Sequence, residues 1–247
     1  MKIIVLTKHA PDPESEIKVS SDGKSVDRTG LIYDINDWDR YAVEEAIRIK
    51  ENAGGEVVVV GVGTDCDDTL RKALAMGADR AIKVNVDTGL DAYQTAEVIK
   101  EAIKEENFDM IFAGYMSQDI NNALVGVLLA AMLDLPVATA VTSVKVEDGK
   151  VVVTRELEGG YQEECELPMP CVLTIQSGIN EPRYVSIMGI KRAKTKEMKV
   201  VDINPTISTL EVEKFYLPPV KKAEIITGDP SEVAEKIVAI LKDRGLI

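Results

Sequence analysis

Alternating apolar strands and amphipathic helices predict an α/β fold: a doubly wound, mainly parallel sheet, followed by an antiparallel addition and a C-terminal arm. Three features of the chain support this. The strand-like runs of the first half, EVVVVGVG most clearly, are continuously apolar, as strands covered on both faces must be. Each is followed by a polar turn and then by apolar residues at helical spacing. After Pro136 the pattern turns to apolar–polar alternation punctuated by glycine turns, which reads as hairpins.

Residues Ile3–Thr7 form the first strand. KHAPDPESEIKVSSDGKSVDRTG then breaks the pattern with two prolines and a hairpin-like IKVSSDGKSV around Asp22-Gly23. In YDINDWDRYAVEEAIRIKEN, Asn36 or Asp37 caps a helix whose apolar face includes Tyr41, Ala42, Ala46, Ile47 and Ile49. Gly54-Gly55 ends it, and EVVVVGVG is the second strand. Asp65 or Asp67 starts a helix through Ala75 that closes at Met76-Gly77. DRAIKVNV is the third strand, Ala92–Lys104 the third helix and Asp109–Ala113 the fourth strand.

The stretch from Met110 to Pro136 is central. An apolar run ends at Gly114, the polar loop YMSQDINN follows, and an apolar helix runs from about Ala123 to Leu133. Strand, glycine, polar loop and helix is the order that sets backbone N–H groups and a helix N-terminus against a phosphate. Ser117, Asp119, Asn121 and Asn122 either cap this helix or bind a ligand's hydroxyls. The chain has neither GxGxxG nor a Walker A sequence, so the ordinary dinucleotide and P-loop fingerprints are missing.

VTSVKVEDGKVVVTRELEGGYQEECELPMPCVLTIQ reads as the antiparallel addition, with turns at Asp148-Gly149 and Gly159-Gly160. Gly178 to Lys199 is irregular and basic in an otherwise acidic chain. From about Val201 the sequence lacks a strong strand until a final helix, Ser231–Arg244, capped by Ser231. Residues 1–200 therefore form the α/β domain, and 201–247 an arm that packs on a partner or wraps its own chain.

A net charge of −13 argues against a general nucleic-acid binder, which needs a basic face. The start, MKIIVLTKHAPD, reads as a strand and turn rather than a signal peptide, and the longest apolar run, around Ala123 to Leu135, is too short to insert in a membrane. Cys66, Cys165 and Cys171 show no CxxC spacing, which favours a reducing cytoplasm over disulfides or zinc. With a single histidine, His9, and no G-x-S-x-G elbow, nucleophilic catalysis is unsupported. Trp38, the sole tryptophan, either staples a helix start or lies against a planar ligand.

VLTKHAPD, NDWDRYAVEEAIRIKE, LRKALAMGADRAIKV, SQDINNALVG, TRELEGG and INEPRYVSIMGIKRAKTK together resemble the β subunit of electron transfer flavoproteins, in family order over roughly residues 1–200. The resemblance implies a Rossmann-like, adenine-nucleotide-binding sheet in one half of an α/β heterodimer. That dimer would carry electrons from acyl-CoA-type or related flavin dehydrogenases to a membrane quinone reductase or other acceptor. FAD would lie mainly in the α subunit, facing this chain, which would itself hold AMP or a second FAD. Carried over by position, the pocket would comprise Leu6, Asn36, Asp37, Trp38, Asp39, Val62 and the run from Gly114 to Gly126, including Met116, Ser117, Asp119, Asn121, Asn122, Ala123, Leu124 and Val125. Trp38 would stand near the α-subunit flavin. Residues 178–199 would dock the dehydrogenase, with Ile187 as aliphatic anchor flanked by Arg183, Tyr184, Lys191 and Arg192. AMP-binding carriers usually show Thr-Gly where this chain has Val125-Gly126; members that oxidise NADH and bifurcate electrons through a second FAD often show Val-Gly. The resemblance implies no bond-making chemistry in this subunit. A universal-stress-type regulatory protein would need a G-x(2)-G-x(9)-G-[ST] loop, and an adenine-nucleotide-alpha hydrolase an early SGGxDS-like loop; the chain shows neither.

Overall fold

The first strand lies near the middle of the sheet, and the rest of the chain winds outward from it. In the computed structural model, which describes residues 1–247 except 87–88, 207, 209 and 220–222, β1 (Lys2–Thr7) is followed by two short ribbons. β2 (His9–Pro11) pairs antiparallel with β5 (Tyr33–Ile35), and β3 (Lys18–Val19) with β4 (Val26–Asp27), the latter being the hairpin expected at Asp22-Gly23. Next come α1 (Asp37–Ala53), β6 (Glu56–Val62), α2 (Asp67–Met76), β7 (Arg80–Asn85), α3 (Ala92–Ala102), β8 (Met110–Gly114) and α4 (Val125–Leu133). The second half adds β9 (Val137–Glu147), β10 (Lys150–Glu156), β11 (Gln162–Pro168), β12 (Cys171–Ile175), α5 (Ile187–Ala193), β13 (Met198–Asp202) and α6 (Pro230–Asp243).

The large sheet has nine strands in the order β11-β10-β9-β12-β8-β1-β6-β7-β13. Its pairings from β9 through β13 are all parallel, and only β10 and β11 run antiparallel to their neighbours. β1 has β6 on one side and β8 on the other, in register Ile3↔Val57 and Ile3↔Met110. Winding therefore reverses between β1 and β8, and a crevice opens beyond their carboxyl ends. One face buries α1, α2 and α5 through Ala42, Ile47, Leu70, Leu74 and Ala193. The other buries α3 and α4 through Ala96, Ile99, Leu129 and Ala130.

Four expectations need correction. CVLTIQ is not part of the antiparallel addition: β12 inserts between β9 and β8 and pairs parallel with both, all five of its residues being buried. The same absence of alternation that marked the first-half strands is present in CVLTI. The basic segment is not irregular throughout, because Ser186 caps α5 through a bond from Gly189 N at 3.0 Å. The sheet does not stop before Val201 either, since β13 runs to Asp202 along the edge of β7. Finally, α6 is capped by Asp229, which accepts from Ser231 N and Glu232 N, rather than by Ser231.

Beyond β13 the chain crosses α3, where Thr206 bonds to Glu97, and reaches the β3–β4 hairpin through Phe215 N and Gly23 O at 2.7 Å. The α6 helix then stands with none of its residues buried. Leu210, Tyr216, Leu217 and Ile225 are exposed as well. Residues 207, 209 and 220–222 of the expected arm lie outside the described residues.

Candidate functional site

The start of α1 lies against the carboxyl ends of β1 and β8. Asp39, in the first turn of that helix, is 6% exposed. Its carboxylate accepts from Lys8 N at 2.7 Å and from Gly114 N at 3.0 Å, so one side chain ties the two strand ends together. Burial pushes its pKa up to about 7 against the pull of those donors. This approach requires glycine at 114, where a Cβ would stand 2.4 Å from Asp39 Oδ1 and 2.7 Å from Trp38 Cβ.

The loop from β8 to α4 is stitched to the start of α1. Asn36, fully buried, donates from Nδ2 to Met116 O at 2.9 Å and accepts from Gln118 N at 3.1 Å. Gln118 in turn accepts from Asp37 N and donates to Pro11 O. Asn36 thus shapes the loop rather than capping α1 with its side chain.

Ser117 and Asp119 do not cap α4. Both bond to the Lys8 ammonium, Asp119 at 2.7 Å through each carboxylate oxygen and Ser117 at 3.2 Å. Asn121 and Asn122 are exposed, and Asn121 and Ala123 have φ of +57° and +50°. The α4 helix begins at Val125, with Leu124 at its N-cap, and it has neither a capping side chain nor an acid in its first turn. Its first N–H groups form an uncapped positive end. Gly126 brings this end close to the sheet, since a Cβ there would lie 2.8 Å from Thr174 Cγ2. Leu6, at the end of β1, and Val62, at the end of β6, belong to one apolar cluster on the same face as α4. Of the residues carried over from the resemblance, Asp39 and Gly114 join the strand ends, Asn36 holds Met116 and Gln118, and Ser117 and Asp119 bond Lys8, while Asn121, Asn122 and Leu124 are exposed.

Trp38 is partly buried and donates from Nε1 to Gln176 Oε1 at 2.9 Å; Gln176 continues to Glu156. A groove of about 520 Å³ lies beside it, lined by Asp37, Trp38, Arg40, Tyr41, Ser177 and Pro182. His9 is not a free loop residue: it stacks on Tyr33 with ring centroids 4.6 Å apart, and its Nδ1 lies 2.8 Å from Thr69 Oγ1. Burial lowers its pKa. The thiols of Cys66 and Cys171, both buried, are pushed up to about 11, which makes them inert.

A second cluster lies at α5. Tyr184 is 93% and Ile187 74% exposed, with Met188 and Ile190 beside them and Lys191 and Arg192 on the surface. Arg183 is committed elsewhere. It pairs with Glu44 at 2.8 Å and Glu51 at 2.7 Å, fixing the segment before α5 to α1. Burial of Glu44 raises its pKa, but the bonds from Arg183 and Arg48 outweigh this and hold it below the usual carboxylate range. Arg71 donates to Ala193 O and Lys196 O, so the far end of α5 is fixed to α2. Sequence reasoning missed Lys8, and it covered Gln118, Met188 and Ile190 only as members of the 114–126 and 178–199 segments. Lys8 alone had a local signal, a cation directly after a buried strand.

Residues 24–206 match the family model described as the electron transfer flavoprotein domain. The chain is 42% identical over 260 residues to the electron transfer flavoprotein subunit beta of Methylophilus methylotrophus, with 98% of each chain covered. It is 34% identical over 260 residues to the protein of that name from Mus musculus, covering 100% of this chain and 99% of the relative. It is also 34% identical over 264 residues to the caffeyl-CoA reductase-Etf complex subunit CarD of Acetobacterium woodii, covering 100% of both. Among the described residues no helix is long and apolar enough to cross a membrane.

Proposed function

Because this chain belongs to the electron transfer flavoprotein family as a β subunit, we propose that its switch-point crevice holds an adenine nucleotide while its exposed segments grip redox partners. Electron transfer is the family's work, β subunits pair with an α subunit, and the family is flavin-associated. The observation that carries the nucleotide reading is the uncapped N-terminus of α4 above the β1–β8 reversal. Backbone N–H groups there suit a phosphate, and the polar loop suits ribose hydroxyls. Leu6 and Val62 give an apolar floor on which a base can lie.

AMP and the adenylate half of FAD share this chemistry, so either fits the donors present. Val125 gives the first turn of α4 no hydroxyl, which is the observation favouring a second FAD and an NADH-oxidising, bifurcating form. A bound flavin supplies the electron storage. This chain's own residues bind the nucleotide, exclude water from the crevice floor and present α5 to a dehydrogenase of the acyl-CoA or a related class, with a quinone reductase or other acceptor downstream. The C-terminal arm, expected over residues 201–247, packs on the α subunit through α6 and its exposed apolar side chains. The main FAD would be held by that α subunit, and Trp38 would stand at its side of the interface.

The test is the nucleotide content of the purified heterodimer after denaturation. One FAD with one AMP per dimer makes it a simple carrier. Two FAD without AMP place a flavin in this subunit and make NADH oxidation the next assay. A dimer without any nucleotide beyond one FAD overturns the crevice assignment.

A further inference from the structure

Lys8 directly follows β1, and its backbone N–H is fixed by Asp39. Its ammonium reaches across the crevice to Asp119 and Ser117. Among the described residues it is the one lysine or arginine that hydrogen-bonds to residues 115–124. Lys8 therefore brings a full positive charge from the end of β1 to this loop, where an internal carboxylate already holds it. The pair is not sealed from solvent, since the two side chains are 38% and 21% exposed. Ion pairs so wetted exchange partners at little cost. A phosphate presents more charge and more acceptor oxygens than a carboxylate, so the exchange favours it.

From these contacts, and resting on the reading that the crevice holds an adenine nucleotide, we infer that Asp119 is a built-in competitor for Lys8. The nucleotide's phosphate takes over the ammonium, and Asp119 turns out to solvent. Occupancy is thereby coupled to the conformation of the loop between β8 and α4, and affinity is set below what the bare lysine would give.

The experiment uses the heterodimer stripped of its β-subunit nucleotide and titrated calorimetrically with AMP and, separately, adenosine. Asp119→Asn is expected to tighten AMP about threefold to tenfold, and Lys8→Gln to weaken it about tenfold, as charge-assisted bonds of ordinary strength require. Adenosine, lacking the phosphate, should change by less than about twofold in either variant. If Asp119→Asn weakens AMP as Lys8→Gln does, the pair is only a brace that shapes the loop, and the inference fails. Equal changes for AMP and adenosine would also overturn it, because Lys8 would not be reading the phosphate. Wild-type dimer that takes up neither ligand removes the nucleotide site itself, a separate failure that ends both readings. Asp119→Ser supplies the same comparison should the amide variant not assemble with its partner subunit.

Discussion

Gly114 and Asp39 show how tightly single residues are determined at the switch point. A methyl group at 114 would meet the Asp39 carboxylate and the Trp38 stem at 2.4 and 2.7 Å. Gly114→Ala is therefore expected to lower stability by about 1–3 kcal/mol, the range for overpacking, and to release nucleotide; thermal unfolding with nucleotide counting checks both. Asp39 has its pKa raised to about 7 by burial, above the ordinary carboxylate value. The folded chain thus binds this proton more tightly than the unfolded one. Its stabilising contribution is complete below about pH 4 and is lost as pH rises through about 7. In Asp39→Asn that slope should flatten, while the amide leaves one of the two backbone donors unpaired at a cost of about 1–3 kcal/mol. Denaturant midpoints from pH 4 to 8 read out the difference. The glycine was legible as the end of a strand. The reason for it was not, because the atoms it admits come from a helix 75 residues away.

At the scale of elements, apolar periodicity identified the strands and helices that bury a continuous face, and α1, β6, α2 and β7 lie where it placed them. It misjudged the elements decided by neighbours. β12 is central because β9 and β8 flank it, and a hairpin-rich context disguised it. The α5 helix is too short to show a period, and tertiary bonds from Arg71 and the Ser186 cap hold it. If α5 is the docking element, as we propose, it should lose most of its grip with Ile187→Ala. We expect KM for the cognate dehydrogenase to rise roughly 30-fold, as loss of a 2 kcal/mol hot spot implies, with flavin content unchanged. Unaltered KM would remove Ile187 from the docking surface. The exposed apolar side chains of Leu210, Tyr216, Leu217 and α6 make the opposite kind of prediction. A chain ending at Asp202 should keep its sheet, by circular dichroism, and lose co-purification with the α subunit.

The whole molecule carries −13, yet the segment around α5 is basic. Docking through Lys191 and Arg192 is therefore expected to weaken with salt, the dehydrogenase KM rising several-fold between about 50 and 500 mM as the Debye length shrinks. Replacing both residues by glutamine should flatten that dependence; an unchanged slope would move the charge contact elsewhere. The crevice and α5 are joined by one helix. Asp39 and Asn36 serve the first at the start of α1, and Glu44 and Glu51 anchor the second farther along it. Because a helix advances about 1.5 Å per residue and resists stretching, the span between them is set by its length alone. The side chains of Tyr184, Ile187 and Met188 are largely exposed and lie in a different segment from the crevice residues, so they can change without altering its framework. A lineage can change its electron donor by substitutions on one turn of α5 while nucleotide binding stays under separate selection, and exchanging residues 184–190 between relatives should transfer donor preference intact.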